Sequence, residues 1–472
     1  MKTSFPLARL FVLALIILAN RAQAQSPITV TFDAKPGPAI PEDFAGFSFE
    51  MEKLLADSNS GYYFSPTNKP LITLFQTLGI KSLRVGGNTA DRPTVNVPAE
   101  PDVDSLFAFA NAAGAKVIYT LRLREGNLPQ AVRIAKYIMG RYKNGVVCLA
   151  IGNEPNVFAK EYPVYREEWK KYVEAITAPG VAPDAKFCGP SATPGKATWA
   201  RDFINDFGKS GKLAFRSQHD YPGGAGNRAT NVATARDKML SAAWLKGYEK
   251  LYNSFAADAL SNGLPYRLEE ANNFYNGGAK DVSDTFAAAL WGLDYLHWWA
   301  AHRAAGINYH TGDQVAAGEK NNPCRYASFW TSPNGYNVHP LGYGIKAFDL
   351  GGHGMVLETR LKNPANVNLT AYGVLARDNT CFVTLINKEH GPEGREALVT
   401  LQPQRGFTKA VVVVLTVVGG DVAATTGVTV GGARFSDDGT WAGKWETIPM
   451  LSNGEVTLKV AAGSAAVVRL SR

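Results

Sequence analysis

Over its first two thirds the chain alternates short apolar runs with longer amphipathic stretches. The runs cover residues 44–50, 82–86, 117–123, 146–151, 186–189, 215–219, 266–270 and 307–310. Most are too continuously apolar for a strand with one wet face, and match strands buried on both sides. Between them lie helical patterns, for example 128–142 and 169–176. Residues 283–305 are apolar nearly all round, start at Ser283-Asp284 and stop at Gly306, which predicts a long buried helix. Eight strand–helix units in this order predict a closed (β/α)₈ TIM barrel over residues 44–342.

After about Gly342 the texture changes. Alternating runs at 367–372, 381–386, 397–401, 410–415, 456–460 and 465–470 are separated by Gly-rich turns. They predict an antiparallel β-sandwich over 343–472. Residues 28–32 also alternate and precede the first barrel strand, so the segment 25–43 is expected to add a strand to the sandwich.

Residues 1–24 read as a signal peptide. Lys2 and Arg9 form a basic start, residues 10–19 are apolar, and Ala22-Gln23-Ala24 is a small-x-small cleavage site, with the cut expected after Ala24. The expected location is secreted or periplasmic, with no membrane contact after signal removal; an uncleaved anchor is the alternative. The formal charge of +8 falls to +5 once Lys2, Arg9 and Arg21 leave. No basic cluster interleaved with aromatics argues for nucleic acid. The 46% hydrophobic content supplies a large core. Cys148, Cys188, Cys324 and Cys381 are not spaced for zinc. Cys148 falls within a strand and is expected to be a buried thiol; pairing is left open. No cofactor is expected, because no nucleotide-binding Gly loop and no metal cluster is present in the sequence.

Chemistry concentrates at strand ends. Glu154 follows the fourth barrel run in Gly152-Asn153-Glu154-Pro155-Asn156, and Glu270 ends the seventh. Carboxylates at the C-terminal mouth of a barrel are placed for catalysis, and two converging ones suit glycoside hydrolysis. Taken alone, Glu154 is as readily a helix cap or an ion-pair partner as a catalytic acid. Glu269 and Glu270 are neighbours, and strand alternation sends one to the mouth and the other behind the strand into an ordinary ion pair.

These motifs resemble glycoside hydrolase family 79, which contains β-glucuronidases and heparanases. The resemblance rests on Gly152-Asn153-Glu154-Pro155-Asn156 and on Arg267-Leu-Glu-Glu270-Ala-Asn-Asn-Phe-Tyr275-Asn-Gly277-Gly278 followed by Ser283-Asp284-Thr285-Phe286. Gly46-Phe-Ser-Phe-Glu50 and Arg84-Val-Gly86-Gly87-Asn88 also fit it. It implies a retaining mechanism with Glu154 as acid/base and Glu270, rather than Glu269, as nucleophile. It further implies that Tyr275 and the amides of Gly277 and Gly278 hold a uronate carboxylate. A second tyrosine would come from the loop after the eighth strand, where Tyr326 is the match and Tyr309 competes. Arg325 is read first as a surface residue.

Glu50 and Asn153 are expected to bind sugar hydroxyls; their alternatives are a buried pair with Arg84 and a helix cap. Tyr221 is expected to hydrogen-bond Glu270 and keep it ionised. His219 lines the subsite or is structural, and Asn88 shapes the second loop within the substrate-binding set. The substrate implied is a glucuronide-containing carbohydrate. An endo-β-glucuronidase acting on glycosaminoglycan chains is the runner-up, and a non-catalytic carbohydrate-binding protein on a barrel scaffold is the reading from another class.

Overall fold

The computed structural model describes residues 28–314, 322–403 and 406–472. The signal segment lies outside them. Eight parallel strands close into a barrel in sequence order: β2 (Ala45–Glu50), β3 (Ser82–Gly86), β4 (Lys116–Leu121), β5 (Val146–Ile151), β6 (Phe187–Ala192), β7 (Leu213–Asp220), β8 (Tyr266–Ala271) and β9 (Ile307–His310). Pairing of β9 with β2, from Ala45 opposite Ile307 to Ser48 opposite His310, completes the ring. The strands are buried almost throughout because helices cover their outer faces. The TIM barrel expected from the apolar runs is therefore present.

The long apolar helix spans Phe286–Ala301, shorter at both ends than expected. Its start is displaced because the Ser283 hydroxyl is used elsewhere: it accepts from Ala279 N at 2.9 Å and donates to Asn273 Oδ1 at 2.6 Å. Thr285 provides no side-chain cap. The first helical N–H groups instead reach carbonyls of the second domain, Phe286 N to Ala424 O and Ala287 N to Val422 O.

The second domain is a ten-stranded sheet. It contains β1 (Ile28–Ala39), β12 (Met355–Lys362), β13 (Leu369–Leu375), β14 (Cys381–Asn387), β15 (Ala397–Gln402), β16 (Lys409–Thr416), β17 (Thr429–Val430), β18 (Glu446–Ile448), β19 (Val456–Val460) and β20 (Ser464–Ser471). A separate hairpin, β10 (Phe329–Ser332) with β11 (Gly335–Val338), intervenes. The sheet folds over itself, so that side chains of β1, β15 and β19 share one apolar core with those of β14, β16 and β20. It is a sandwich in architecture, but mixed rather than purely antiparallel. β1 runs antiparallel to β12 and parallel to β15. The change of texture near Gly342 falls inside a helix, Pro340–Gly351, and the sheet strands resume at Met355.

Candidate active site

Every barrel strand ends at the same rim, and the polar side chains collected there form one network. Glu154 sits just past β5 in a left-handed conformation (φ 46°, ψ 53°), with its N–H bonded to Ser191 O. That conformation is strained for a non-glycine residue and is held by its surroundings. Glu270 lies near the end of β8. A carboxylate oxygen of each glutamate and a ring nitrogen of His219 all lie within 4.8 Å of one another. The two glutamates therefore face a common space.

Glu270 is buried and fully engaged. Arg84 Nη1 donates to its Oε2 at 2.5 Å and Tyr221 OH donates to its Oε1 at 2.9 Å. His219 Nδ1 is 3.7 Å from Oε1 and His310 Nδ1 is 3.9 Å from Oε2. Burial alone would raise its pKa. The positive charges of His219, His310 and Arg84, with the Tyr221 hydrogen bond, outweigh burial and hold the carboxyl well below the usual range. Both imidazoles are shifted the other way: burial lowers them, but their carboxylate neighbours raise them above the ordinary histidine value.

Glu154 is less enclosed, with its side chain 19% exposed against 8% for Glu270. Its Oε1 lies 3.0 Å from His219 Nδ1. Asn153 is buried beside it. Its Oδ1 accepts from Arg84 Nη2 at 2.7 Å, and its backbone N–H is held by Asp91 Oδ2 at 2.5 Å. Asp91 also accepts from Leu123 N and Arg124 N, so it ties the ends of β4 and β5 together.

Glu50 faces the opposite part of the rim. It accepts from Thr89 N, Thr89 Oγ1 and Asn88 N, and its Oε1 is 3.4 Å from His310 Nε2. Burial would raise its pKa, but His310 and Thr89 lower it overall. Gly87 permits this approach: its φ is +65°, and a Cβ there would fall 2.4 Å from Glu50 Cδ. Arg84 does not pair with Glu50; it bridges Glu270, Asn153 and Ser48. Asn88 is exposed, and its Oδ1 lies 3.5 Å from Asn153 Nδ2.

Glu269 departs from expectation. It makes no ordinary ion pair behind the strand. It is fully buried, accepts from Ser191 Oγ and from Cys188 Sγ, and lies 3.9 Å from His219 Nε2. The pairing of β8 slips against both neighbours, so simple alternation fails there. His219, expected only to line the subsite or to be structural, is the hinge of the network, reaching Glu154, Glu270 and Glu269.

The loop after β8 carries Tyr275, Gly277 and Gly278. Asn276, Gly277 and Gly278 have φ of 60°, 77° and 90°, three successive left-handed residues. Among the described residues no protein group accepts the Gly277 or Gly278 N–H, while Gly277 O accepts from Arg325 N and Tyr326 N. A Cβ on Gly278 would meet Tyr326 N at 2.8 Å and Ser283 Cβ at 2.9 Å. Tyr275 is exposed, and its ring lies 6.1 Å from that of Tyr221. Tyr326 is buried, 6.2 Å from the Tyr221 ring and 6.0 Å from His310. Tyr309 faces away: its hydroxyl donates to Gly292 O in the long helix. Of the two competing tyrosines, Tyr326 is thus the one at the site. Arg325 pairs with Asp284 at 3.4 Å.

His310, Asp91, Ser48 and Thr89 were not anticipated as site residues. His310 ends a barrel strand just as Glu50 and Glu270 mark theirs, and that position was the available signal. All four cysteines are buried. The Glu154–His219–Glu270 trio has donor atoms close enough for a metal ion. Arg84 and Tyr221 already occupy both oxygens of Glu270, however, and a guanidinium at 2.5 Å repels a second cation.

No protein-family model matches the chain. It is similar to a β-glucuronidase of Aspergillus niger, 24% identical over 351 residues, which cover 62% of this chain and 63% of that protein. Among solved structures it resembles a 4-O-α-L-rhamnosyl-β-D-glucuronidase from Fusarium oxysporum 12S, crystallised as a Rha-GlcA complex (TM-score 0.69, 19% identity, 93% of this chain and 99% of that one). It also resembles a family 51 arabinofuranosidase from Xanthomonas axonopodis pv. citri (TM-score 0.69, 13% identity, 94% and 100%). At these identities the structural likeness establishes the fold: a TIM barrel with a strand-rich second domain.

Proposed function

We propose that this protein is a retaining glycoside hydrolase that releases β-linked glucuronic acid from glycosides or polysaccharides, and that it belongs with glycoside hydrolase family 79. The observation that carries this reading is the meeting of Glu154 and Glu270 within 4.8 Å across the barrel mouth. Retaining enzymes hold their carboxyl groups about 5–5.5 Å apart, whereas inverting enzymes need room for a water between them. The likeness to a curated β-glucuronidase adds support.

In the proposed cycle Glu154 protonates the glycosidic oxygen. Glu270, kept ionised by Arg84 and two imidazoles, attacks the anomeric carbon and forms a glycosyl-enzyme. Glu154 then takes a proton from water, which displaces Glu270 and releases the sugar. The uronate carboxylate would sit at the unused Gly277 and Gly278 amides, with the phenols of Tyr275 and Tyr326 beside it. Backbone N–H groups in such a turn form an anion-binding concavity. Glu50 and Asn153 would bind ring hydroxyls. Export with cleavage after Ala24 is part of the proposal, and N-terminal sequencing of the mature protein tests it.

The deciding experiment is a panel of aryl β-glycosides. Cleavage of the glucuronide over the glucoside is expected, with loss of several orders of magnitude in kcat for Glu154→Gln and Glu270→Gln. Unchanged turnover in either variant rejects the catalytic assignment of that glutamate, and absence of turnover of every aryl glycoside by the parent protein returns the chain to a carbohydrate-binding role. Preference for the glucoside removes the carboxylate site.

A further inference from the structure

A band of positive charge lies at the end of the barrel away from the catalytic carboxylates. Parallel strands that finish together at one rim also begin together at the other. Five consecutive strands start at a lysine or just after one. Lys81 precedes β3, Lys116 opens β4, Lys143 lies in the turn before β5, Lys186 precedes β6 and Lys212 precedes β7. They are scattered in the sequence, and closure of the barrel makes them neighbours: Lys116 N bonds Lys81 O at 3.0 Å, and Phe187 N bonds Lys212 O at 2.9 Å. All but Lys212 are exposed.

The band is held in place and only partly neutralised. Lys186 Nζ donates to Gly211 O at 2.6 Å and Lys212 Nζ to Pro183 O at 3.3 Å, so carbonyls fix both ammonium groups. Among the described residues only Lys81 and Lys143 of the five have a carboxylate within ion-pair distance, Glu42 at 3.9 Å and Asp184 at 2.8 Å. The hydrogen bond from Lys143, with the charges of Lys143, Lys212 and Lys186, holds the Asp184 carboxyl below its usual range. An anion brought to this face meets the same cations.

Within the band a cavity of about 620 Å³ opens between the loops that enter β4 and β5. Lys116, Arg141 and Lys143 line it with the amides of Asn111 and Asn144, and no carboxylate does. Arg141 lies 3.7 Å from Asp104, outside the cavity, but exposed pairs of this kind contribute little. Cations beside amides suit a ligand that carries both carboxylates and hydroxyls. Tyr142 is already engaged: its ring stacks on Phe107 at 4.5 Å and Arg141 lies over it at 5.8 Å, which makes it a poor platform for a nucleobase. A protein partner would need an apolar anchor. Of the exposed large apolar side chains, Val157, Val164 and Tyr275 follow the C-terminal ends of strands, and Val418 and Leu451 belong to the second domain.

We infer that the N-terminal rim of the barrel is a docking surface for an acidic polysaccharide, with a carboxylated unit seated among Lys116, Arg141 and Lys143. A strand of five or six residues separates the rims by about 15–20 Å, so no single sugar reaches from this cavity to Glu270. The surface is therefore a tether and not a part of the catalytic mouth, and it stands whether or not the glycosidase reading does.

The test measures binding of the full chain to polygalacturonate, a polymer of carboxylated sugars that contains no β-linked glucuronic acid. Neutral dextran and a DNA duplex are the contrasts. The parent protein is expected to bind polygalacturonate at about 50 mM salt and to bind it more weakly as salt is raised. Dextran and DNA are expected to bind at least about tenfold more weakly. Changing Lys116, Arg141 and Lys143 together to Ser is expected to raise Kd for polygalacturonate at least about tenfold while the protein keeps its thermal midpoint. Changing Lys362, Lys409 and Lys444, exposed in the second domain, to Ser removes the same charge and is expected to leave Kd within about twofold. Absence of binding, binding that salt leaves unchanged, an equal loss in both triple variants, or DNA held as tightly as polygalacturonate overturns the docking surface. Should the first triple variant not fold, Lys116→Glu alone is expected to raise Kd about threefold or more, and an unchanged Kd overturns the inference.

Discussion

Tyr221 shows how one hydroxyl bears on two chemical steps. Its hydrogen bond to Glu270 Oε1 is strongest when that oxygen is charged, because bonds to ionised acceptors are about twice as strong as neutral ones. The charge is absent in the glycosyl-enzyme and reappears when water displaces the nucleophile. Tyr221→Phe should therefore slow release more than attack. We expect kcat to fall about tenfold and KM to fall with it, since a charged hydrogen bond contributes roughly 1.5–3 kcal/mol. A pre-steady-state burst of aryl leaving group, absent or small in the parent protein, is the diagnostic. A fall in kcat with KM unchanged and no burst would place Tyr221 outside this step. The site residues legible in the sequence are those at strand ends or in a recognisable motif. Arg84, Ser48 and Asp91 act by bonding other site residues, and a sequence does not reveal who bonds whom. Strand alternation misplaces Glu269 because a slipped register has no local sequence mark.

At the scale of elements, the loop after β8 joins strand, turn and helix into one device. The sequence places Ser283 at the start of the helix, yet its hydroxyl ties the turn through Ala279 N and Asn273 Oδ1. The apolar barrel runs were legible because burial on both faces leaves them little choice of residue. β12 was not: its burial alternates, with Glu358 and Lys362 exposed, and its charged residues hid it. The hairpin of β10 and β11 was missed because its two strands are only four residues each. The turn itself yields a prediction. Gly278→Ala places a methyl at φ +90°, against Tyr326 N and Ser283. Strain of this kind costs about 1–3 kcal/mol. It should displace the Gly277 and Gly278 amides, raise KM for the aryl glucuronide about tenfold or more, and narrow the preference for glucuronide over glucoside. A stability loss with the preference intact would show that these amides do not read the carboxylate.

The barrel and the sandwich meet as one molecule at the Phe286–Ala301 helix. Buried Asp294 accepts from Thr370 and Tyr372 at 2.7 Å each and pairs with Lys388 at 2.8 Å, all from the sheet domain. These partners are 76 to 94 positions distant in sequence, beyond any local pattern. Asp294→Ala strands the Lys388 charge and should cost about 3–5 kcal/mol, seen as a lower denaturation midpoint. His297, one helical turn on, stacks on Tyr372 at 5.0 Å. Burial, offset only partly by Asp294, pushes its pKa down from 6.5 to about 3. In the unfolded chain this imidazole takes up a proton near pH 6.5, whereas in the folded protein it stays neutral until about pH 3. Its contribution to stability is therefore complete above pH 6.5 and drains away as the pH falls toward 3, by up to about 1.4 kcal/mol per unit. His297→Phe keeps an aromatic ring against Tyr372 and removes the titration. Thermal melts of both proteins at about pH 7.5 and about pH 4.5 isolate this one group, since every other ionisable residue is common to the pair. The midpoint of the variant relative to the parent should rise on acidification. An offset that is the same at both pH values would mean that His297 is protonated alike in the folded and unfolded chains, and that its burial at the domain junction does not discriminate against charge.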